Sequence, residues 1–161
     1  MAGGALLAGC GRGTDPGQSA PDRAARGNAA ASADAAALAN AEADLVSAVS
    51  AAGSVAPVGL RFRVPEPPRV GQPLRLELVL TQQAGLDIDH LLVALQPGDG
   101  LAVESERSFE FQSPPAGATQ RMAVTVRPQQ PGLLSIGATV LVDSTNTSLT
   151  RSFSIPLIAA P

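Results

Sequence analysis

The sequence has no tryptophan, no tyrosine and no lysine, and only one cysteine and one histidine in 161 residues. Each shortage closes a route. A lone cysteine forms no internal disulfide, and with a single histidine beside it the usual thiolate and imidazole metal spacings are out of reach. Without tryptophan or tyrosine, carbohydrate binding on aromatic platforms is nearly closed as a route. Four phenylalanines make up all the aromatic content, 2%, so a core has to come mainly from Leu, Val and Ile. The eleven basic residues are all arginine, and fourteen Asp and Glu outnumber them for a net charge of −3. That balance lacks the basic stripe that displaces counterions, which argues against nucleic acid as a partner. No apolar run reaches the ~20 residues that a bilayer-crossing helix needs.

What is present divides the chain in two. Residues 11–31, GRGTDPGQSAPDRAARGNAAA, hold no aliphatic side chain larger than alanine. Such a segment buries too little apolar surface to offset its ordering entropy, and disorder is expected. The next stretch, SADAAALANAEADLVSAVSAAG, is rich in the best helix former. Ser32 is a candidate N-cap, Asp34 and Glu42 suit an N-terminal half, and Leu38, Leu45 and Val49 fall near one face. The spacing predicts a helix over 33–50, with Gly53 as its stop. Residues 10–55 then read as a low-complexity tether.

From Val58 the alanine fades and period-two alternation begins. Val58, Leu60, Phe62 and Val64 share one parity; so do Leu74, Leu76, Leu78 and Leu80. A short apolar run from His90 to Gln96 ends at Pro97-Gly98-Asp99-Gly100, a strong turn signal. Leu101, Val103, Phe109 and Phe111 alternate with Glu104, Glu106 and Glu110, and Ser105-Glu106-Arg107 breaks the pattern, which predicts a bend or bulge. Met122 to Val126, Ile136 to Val142 and Phe153 to Leu157 follow, separated by Pro/Gly turns and by the Asp143–Asn146 turn. About seven short strands without helical periodicity between them predict an all-β fold. Over 56–161 the pattern calls for a single antiparallel sandwich. It resembles the immunoglobulin-like modules of bacterial surface and envelope proteins, although the Cys…Trp…Cys core of antibody domains is absent and no residue roles carry over.

The chemistry-bearing residues are few. His90 sits beside Asp89 at a strand edge, which reads as a local hydrogen bond. No GxSxG turn accompanies it. Asp87, Asp89 and Asp99 flank one apolar run but lack the spacing of a calcium loop. Glu104, Glu106 and Glu110 share a parity and read as a solvated strand face. No catalytic residue, metal site or cofactor is expected.

The one cysteine is placed with more purpose. Leu7-Ala8-Gly9-Cys10 is an aliphatic residue, two small residues and the thiol, and it resembles the lipobox of bacterial lipoproteins. The resemblance implies a diacylglycerol on Cys10, removal of residues 1–9 and a mature chain that starts at the lipidated cysteine. Gly11 in place of Asp leans toward the outer membrane within that family. No basic residue and no long apolar stretch precede Cys10, so the signal is expected to begin upstream of Met1. The sequence is therefore expected to be a membrane-anchored, non-enzymatic lipoprotein of the bacterial envelope. Its sandwich, held on a tether, would meet an envelope protein. A structural spacer without a ligand is the alternative, and a small envelope hydrolase or metal-dependent enzyme a weaker one.

Overall fold

Alternation governs the fold from Val58 onward, because each inward side chain leaves water for a shared core while its neighbours stay on the surface. The computed structural model describes residues 42–53, 56–83, 85 and 87–161. Cys10, the segment 11–31 and the first part of the expected helix lie outside the described residues.

Among the described residues the strands are β1 (Val46–Ser47), β2 (Val49–Ser50), β3 (Val58–Arg63), β4 (Leu74–Gln82), β5 (His90–Pro97), β6 (Leu101–Val103), β7 (Ser108–Gln112), β8 (Thr119–Pro128), β9 (Gly132–Ser144) and β10 (Thr147–Ala159). They form two five-stranded sheets, ordered β1-β3-β4-β8-β6 and β2-β10-β9-β5-β7. Every neighbouring pair is antiparallel. The protein is a β-sandwich, as the alternation predicts. Leu60, Leu76, Leu78, Leu80, Val124 and Val126 of the first sheet and Leu91, Val93, Ile136, Val140 and Ile155 of the second are fully buried. Phenylalanine contributes more than its scarcity implies: Phe62 and Phe153 are core residues, and Phe109 and Phe111 pack half-buried against the core.

The helix expected over 33–50 does not run to its C-terminal part. Residues 42–44 make one turn, closed by Leu45 N–H on the Glu42 carbonyl at 3.3 Å, and the chain is then extended. Val46 and Ser47 pair with Phe62 and Arg61 of β3 in the first sheet. Val49 and Ser50 pair with Ser154 and Phe153 of β10 in the second. Two β-branched residues beside two unfilled strand edges outweigh the modest helix propensity of a short alanine-rich segment. Ala48 is the step between the sheets; it is 9% exposed and its N–H donates to the Leu60 carbonyl at 2.9 Å. The sandwich thus takes in residues 46–50, which the sequence assigned to the tether, and its compact unit begins at Glu42.

The opposite flank is built the same way. The expected bend at Ser105-Glu106-Arg107 is a change of sheet. Before it, β6 pairs with β8; after it, β7 pairs with β5. Glu104 N–H still reaches the Thr125 carbonyl at 2.9 Å, and Ser105 Oγ accepts the Thr125 N–H at 2.9 Å. By Arg107 the carbonyl already accepts from Leu95 N–H in the other sheet, at 2.7 Å. Among the described residues no helix is long and apolar enough to cross a membrane.

Candidate functional site

His90 opens β5 and lies between two carboxylates, with Nδ1 3.4 Å from Asp143 Oδ2 and Nε2 3.9 Å from Glu110 Oε2. Asp143 accepts the Ser148 hydroxyl at 2.5 Å. That hydrogen bond, helped by His90, holds the Asp143 carboxyl below its ordinary pKa. Asp89 accepts from the Thr145 hydroxyl at 3.2 Å. The histidine is thus held at the strand end by Asp143, 53 residues away in sequence, and not by the local hydrogen bond to Asp89 that the sequence suggested; the Asp89 carboxylate is taken by Thr145. Asp99 does not join the histidine. Asp99 follows the far end of the eight-residue β5, roughly 25 Å along the strand at ~3.3 Å per residue. Among the described residues no three His, Cys, Asp or Glu gather as a metal site.

The acidic stripe is divided by the change of sheet. Glu104 meets Arg127 at 2.5 Å beside the first sheet, which raises the pKa of that guanidinium. Glu110 projects from β7 in the second sheet. The three glutamates therefore do not share one solvated face.

The two outward faces differ. Arg61, Arg63, Arg75, Arg121 and Arg127 alternate along the first sheet, and Arg63 meets its cross-strand neighbour Glu77 at 2.6 Å. Between Arg61 and Arg121 lies Val79, which is buried although it belongs to this outer row. Arg61 also donates to the carbonyls of Glu42 and Leu45, and Arg121 pairs with Glu42. The turn at 42–45 is thereby fastened to this face. The second sheet carries no arginine row: its outward residues mix small and hydroxylated side chains with Leu92 and Leu141, and Leu133 stands opposite Ile158, each 75% exposed.

Sequence reasoning missed two residues at the β1–β2 flank. Arg151 on β10 reaches across to the carbonyls of Ala56 and Val58 at 3.0 and 2.9 Å and to Ser50 Oγ at 3.1 Å. Its guanidinium carbon lies 5.3 Å from the centroid of the Phe153 ring. Gln82, the last residue of β4, follows the inward parity of Leu74 to Leu80 and is only 7% exposed, yet among the described residues neither atom of its amide has a hydrogen-bond partner. Both residues line an open groove of about 400 Å³. An arginine or glutamine in an alternating strand carries no local mark of such a position.

Among the described residues, nothing pairs with the outer edge of the β6–β7 flank. β7 ends its sheet. Because Arg107 bonds toward β5, the alternation of an antiparallel ladder directs Phe109 and Phe111 main-chain groups to β5 also. The N–H and C=O groups of Ser108, Glu110 and Gln112 therefore point away from the sheet. Phe109 and Phe111 are half-buried inward, while Ser108, Glu110 and Gln112 are exposed. Beside this strand runs a groove of about 450 Å³ lined by Glu106, Ser108, Phe109, Glu110 and Phe111.

No protein-family description matches the chain, and no curated protein does. Among solved structures the chain is similar to the native conformation of E. coli alpha-2-macroglobulin, with 23% identity and a TM-score of 0.52. The match covers 66% of this chain and 7% of that one, so the chain corresponds to a small part of a far longer protein. The likeness is one of fold, and it agrees with an immunoglobulin-like sandwich.

Proposed function

We propose that this protein is a non-catalytic lipoprotein of the bacterial envelope, held to the outer membrane through a lipid on Cys10, whose sandwich binds another protein. The binding part of the reading is carried by the edge of β7, which no described residue pairs with and where main-chain donors and acceptors lie beside two phenylalanine side chains. An exposed edge of this kind is a template for another strand. The anchoring part rests on Leu7-Ala8-Gly9-Cys10. Likeness to a portion of a bacterial protein fits a module of this type. A lipid and a tether would hold the domain at high local concentration near its partner.

The test is cross-linking in the native envelope of the protein, expressed behind a functional signal sequence, beside its Cys10→Ser variant, with a clickable fatty acid supplied. Label on Cys10 and one recurrent cross-linked protein, lost in the variant, is the expected result. Absence of label overturns the anchor. Label without any partner leaves a spacer.

A further inference from the structure

The edges of the two sheets are not treated alike. On β10 the outward main-chain groups belong to the even-numbered residues, since Ser152 accepts from Ala51 N–H at 2.9 Å and Ser154 pairs with Val49. Pro156 has no N–H to offer there. Beyond it Ala160 exchanges bonds with Pro68 and Val70 at 2.9 and 3.0 Å. On β3 the Leu60 carbonyl is taken by Ala48 and the Val58 carbonyl by Arg151. β6 is three residues long, and its line is continued by Glu104 and Ser105 on Thr125. Among the described residues β7 shows none of these devices over its five residues.

We infer that the edge of β7 takes up an extended segment of a partner protein as an added strand, with a basic residue of the partner opposite Glu110 and an apolar residue on each side of it, opposite Phe109 and Phe111. This rests on the binding reading above and names the partner's chemistry.

The register follows from the ladder. A strand laid against β7 bonds to the outward groups of Ser108, Glu110 and Gln112, and side chains directly opposite share a face. Opposite Phe109 and Phe111 the guest side chains turn inward to the core flank, where apolar groups leave water. Opposite Glu110 the guest side chain turns outward, beside a carboxylate whose exposure is 64%. Glu106 adds a second negative charge to the groove lining, which among the described residues contains no basic side chain. Arg107, next in sequence, gives its guanidinium to the Val103 carbonyl at 3.3 Å.

The same carboxylate argues against a second copy of this chain as the guest. Two β7 strands paired antiparallel about their centres would set Glu110 opposite Glu110, and like charges directly opposite are destabilising. The demand is for polar, apolar, basic, apolar, polar in an extended chain. This is β-strand addition, in which main-chain bonds supply affinity and alternate side chains supply specificity.

Two capped peptides probe it against the ¹⁵N-labelled full chain: Gly-Thr-Val-Lys-Val-Thr-Gly, and the same with Glu for Lys. The lysine peptide is expected to perturb the amides of Ser108, Glu110 and Gln112. At a peptide concentration ten times its Kd it should slow their hydrogen exchange about tenfold, since exchange then proceeds from the small unbound fraction. The glutamate peptide should bind at least several-fold more weakly, and Glu110→Lys should reverse the preference. Ser108→Pro, which removes an outward donor without removing a bond to β5, should weaken the lysine peptide while the spectrum stays folded.

Perturbation confined to the exposed part of β8 or to Leu133 and Ile158, no perturbation, or an order of preference that Glu110→Lys leaves unchanged overturns the inference. If a variant fails to fold, the wild-type amide map still decides. A cross-linked envelope partner attached elsewhere on the domain would sink this inference and leave the binding reading intact; no partner at all would sink the binding reading.

Discussion

Pro156 stands opposite Ser135 across β10 and β9. Ser135 turns its carbonyl the other way, to the Gly98 N–H at 2.9 Å, so this is a pair without mutual hydrogen bonds and the proline nitrogen falls on the outer edge. A proline in a thirteen-residue strand is tolerated because the donor it lacks has no ladder partner to miss.

Pro156→Thr should therefore leave the fold intact and give β10 a donor between the β2 patch and the Ala160 bridge. The expected outcome is concentration-dependent self-association, read as a rising mass in light scattering over a dilution series. An unchanged monomer-sized mass at every concentration would show that Pro156 has no protective part.

Arg151→Ala removes the donors to the Ala56 and Val58 carbonyls and to Ser50 Oγ together. Partly buried carbonyls left without partners cost about 1–3 kcal/mol, so urea unfolding should show a loss of about 2–3 kcal/mol. Arg151→Lys should recover only a fraction, because one ammonium does not span both carbonyls and the serine as a guanidinium fork does.

Gln82→Met runs in the other direction. Both amide atoms of Gln82 are buried without partners among the described residues, and removing such groups in favour of an apolar side chain of similar shape is neutral or stabilising. The expected gain is about 1 kcal/mol in chemical denaturation. A loss of that size would mean that the amide holds a partner in solution.

The Ser148–Asp143 hydrogen bond sets a pH dependence at the acidic end. Asp143 is depressed in the folded state, so its contribution to stability is present above its unfolded pKa, about 3.9. It is lost as pH falls through the lower folded value. Ser148→Ala removes the largest cause of the depression and should raise the Asp143 pKa toward the ordinary range. Titration followed by the side-chain carboxyl carbon shift measures it, and an unmoved pKa would assign the depression to His90.

Much of the sandwich was legible because its strands are amphipathic at period two. Leu74, Leu76, Leu78 and Leu80 announce their own face, and the Pro97–Gly100 segment announces its turn, with Gly100 at φ 75° where a glycine is favoured. The switches between sheets were not legible. Ala48 and Ser105 mark places where the hydrogen-bonding partner changes, and that depends on strands far away in sequence. For the same reason Glu104 and Glu110 share a parity on paper and belong to different sheets in the fold. Alanine-rich sequence around Leu45 supports a helix as long as no strand edge competes for it; β3 and β10 supply two. The β7 edge was invisible as well, since an edge is defined by what does not pair with it.

The pairing of Val49 with Ser154 has a bearing on assembly in time. β2 is the second of the described strands to emerge in chain order, and the strand it needs is the last of them. Until Phe153 and Ser154 emerge, β2 has no neighbour and Arg151 cannot close the flank. β1 can settle on β3 within a short length of chain, whereas the second half of the same segment must wait across about a hundred residues, a long loop to close and a source of slow folding. Whether the chain emerges from a ribosome or from an export channel, the described domain carries an unpaired N-terminal flank until β10 arrives, and a late step joins β2 to the last described strand.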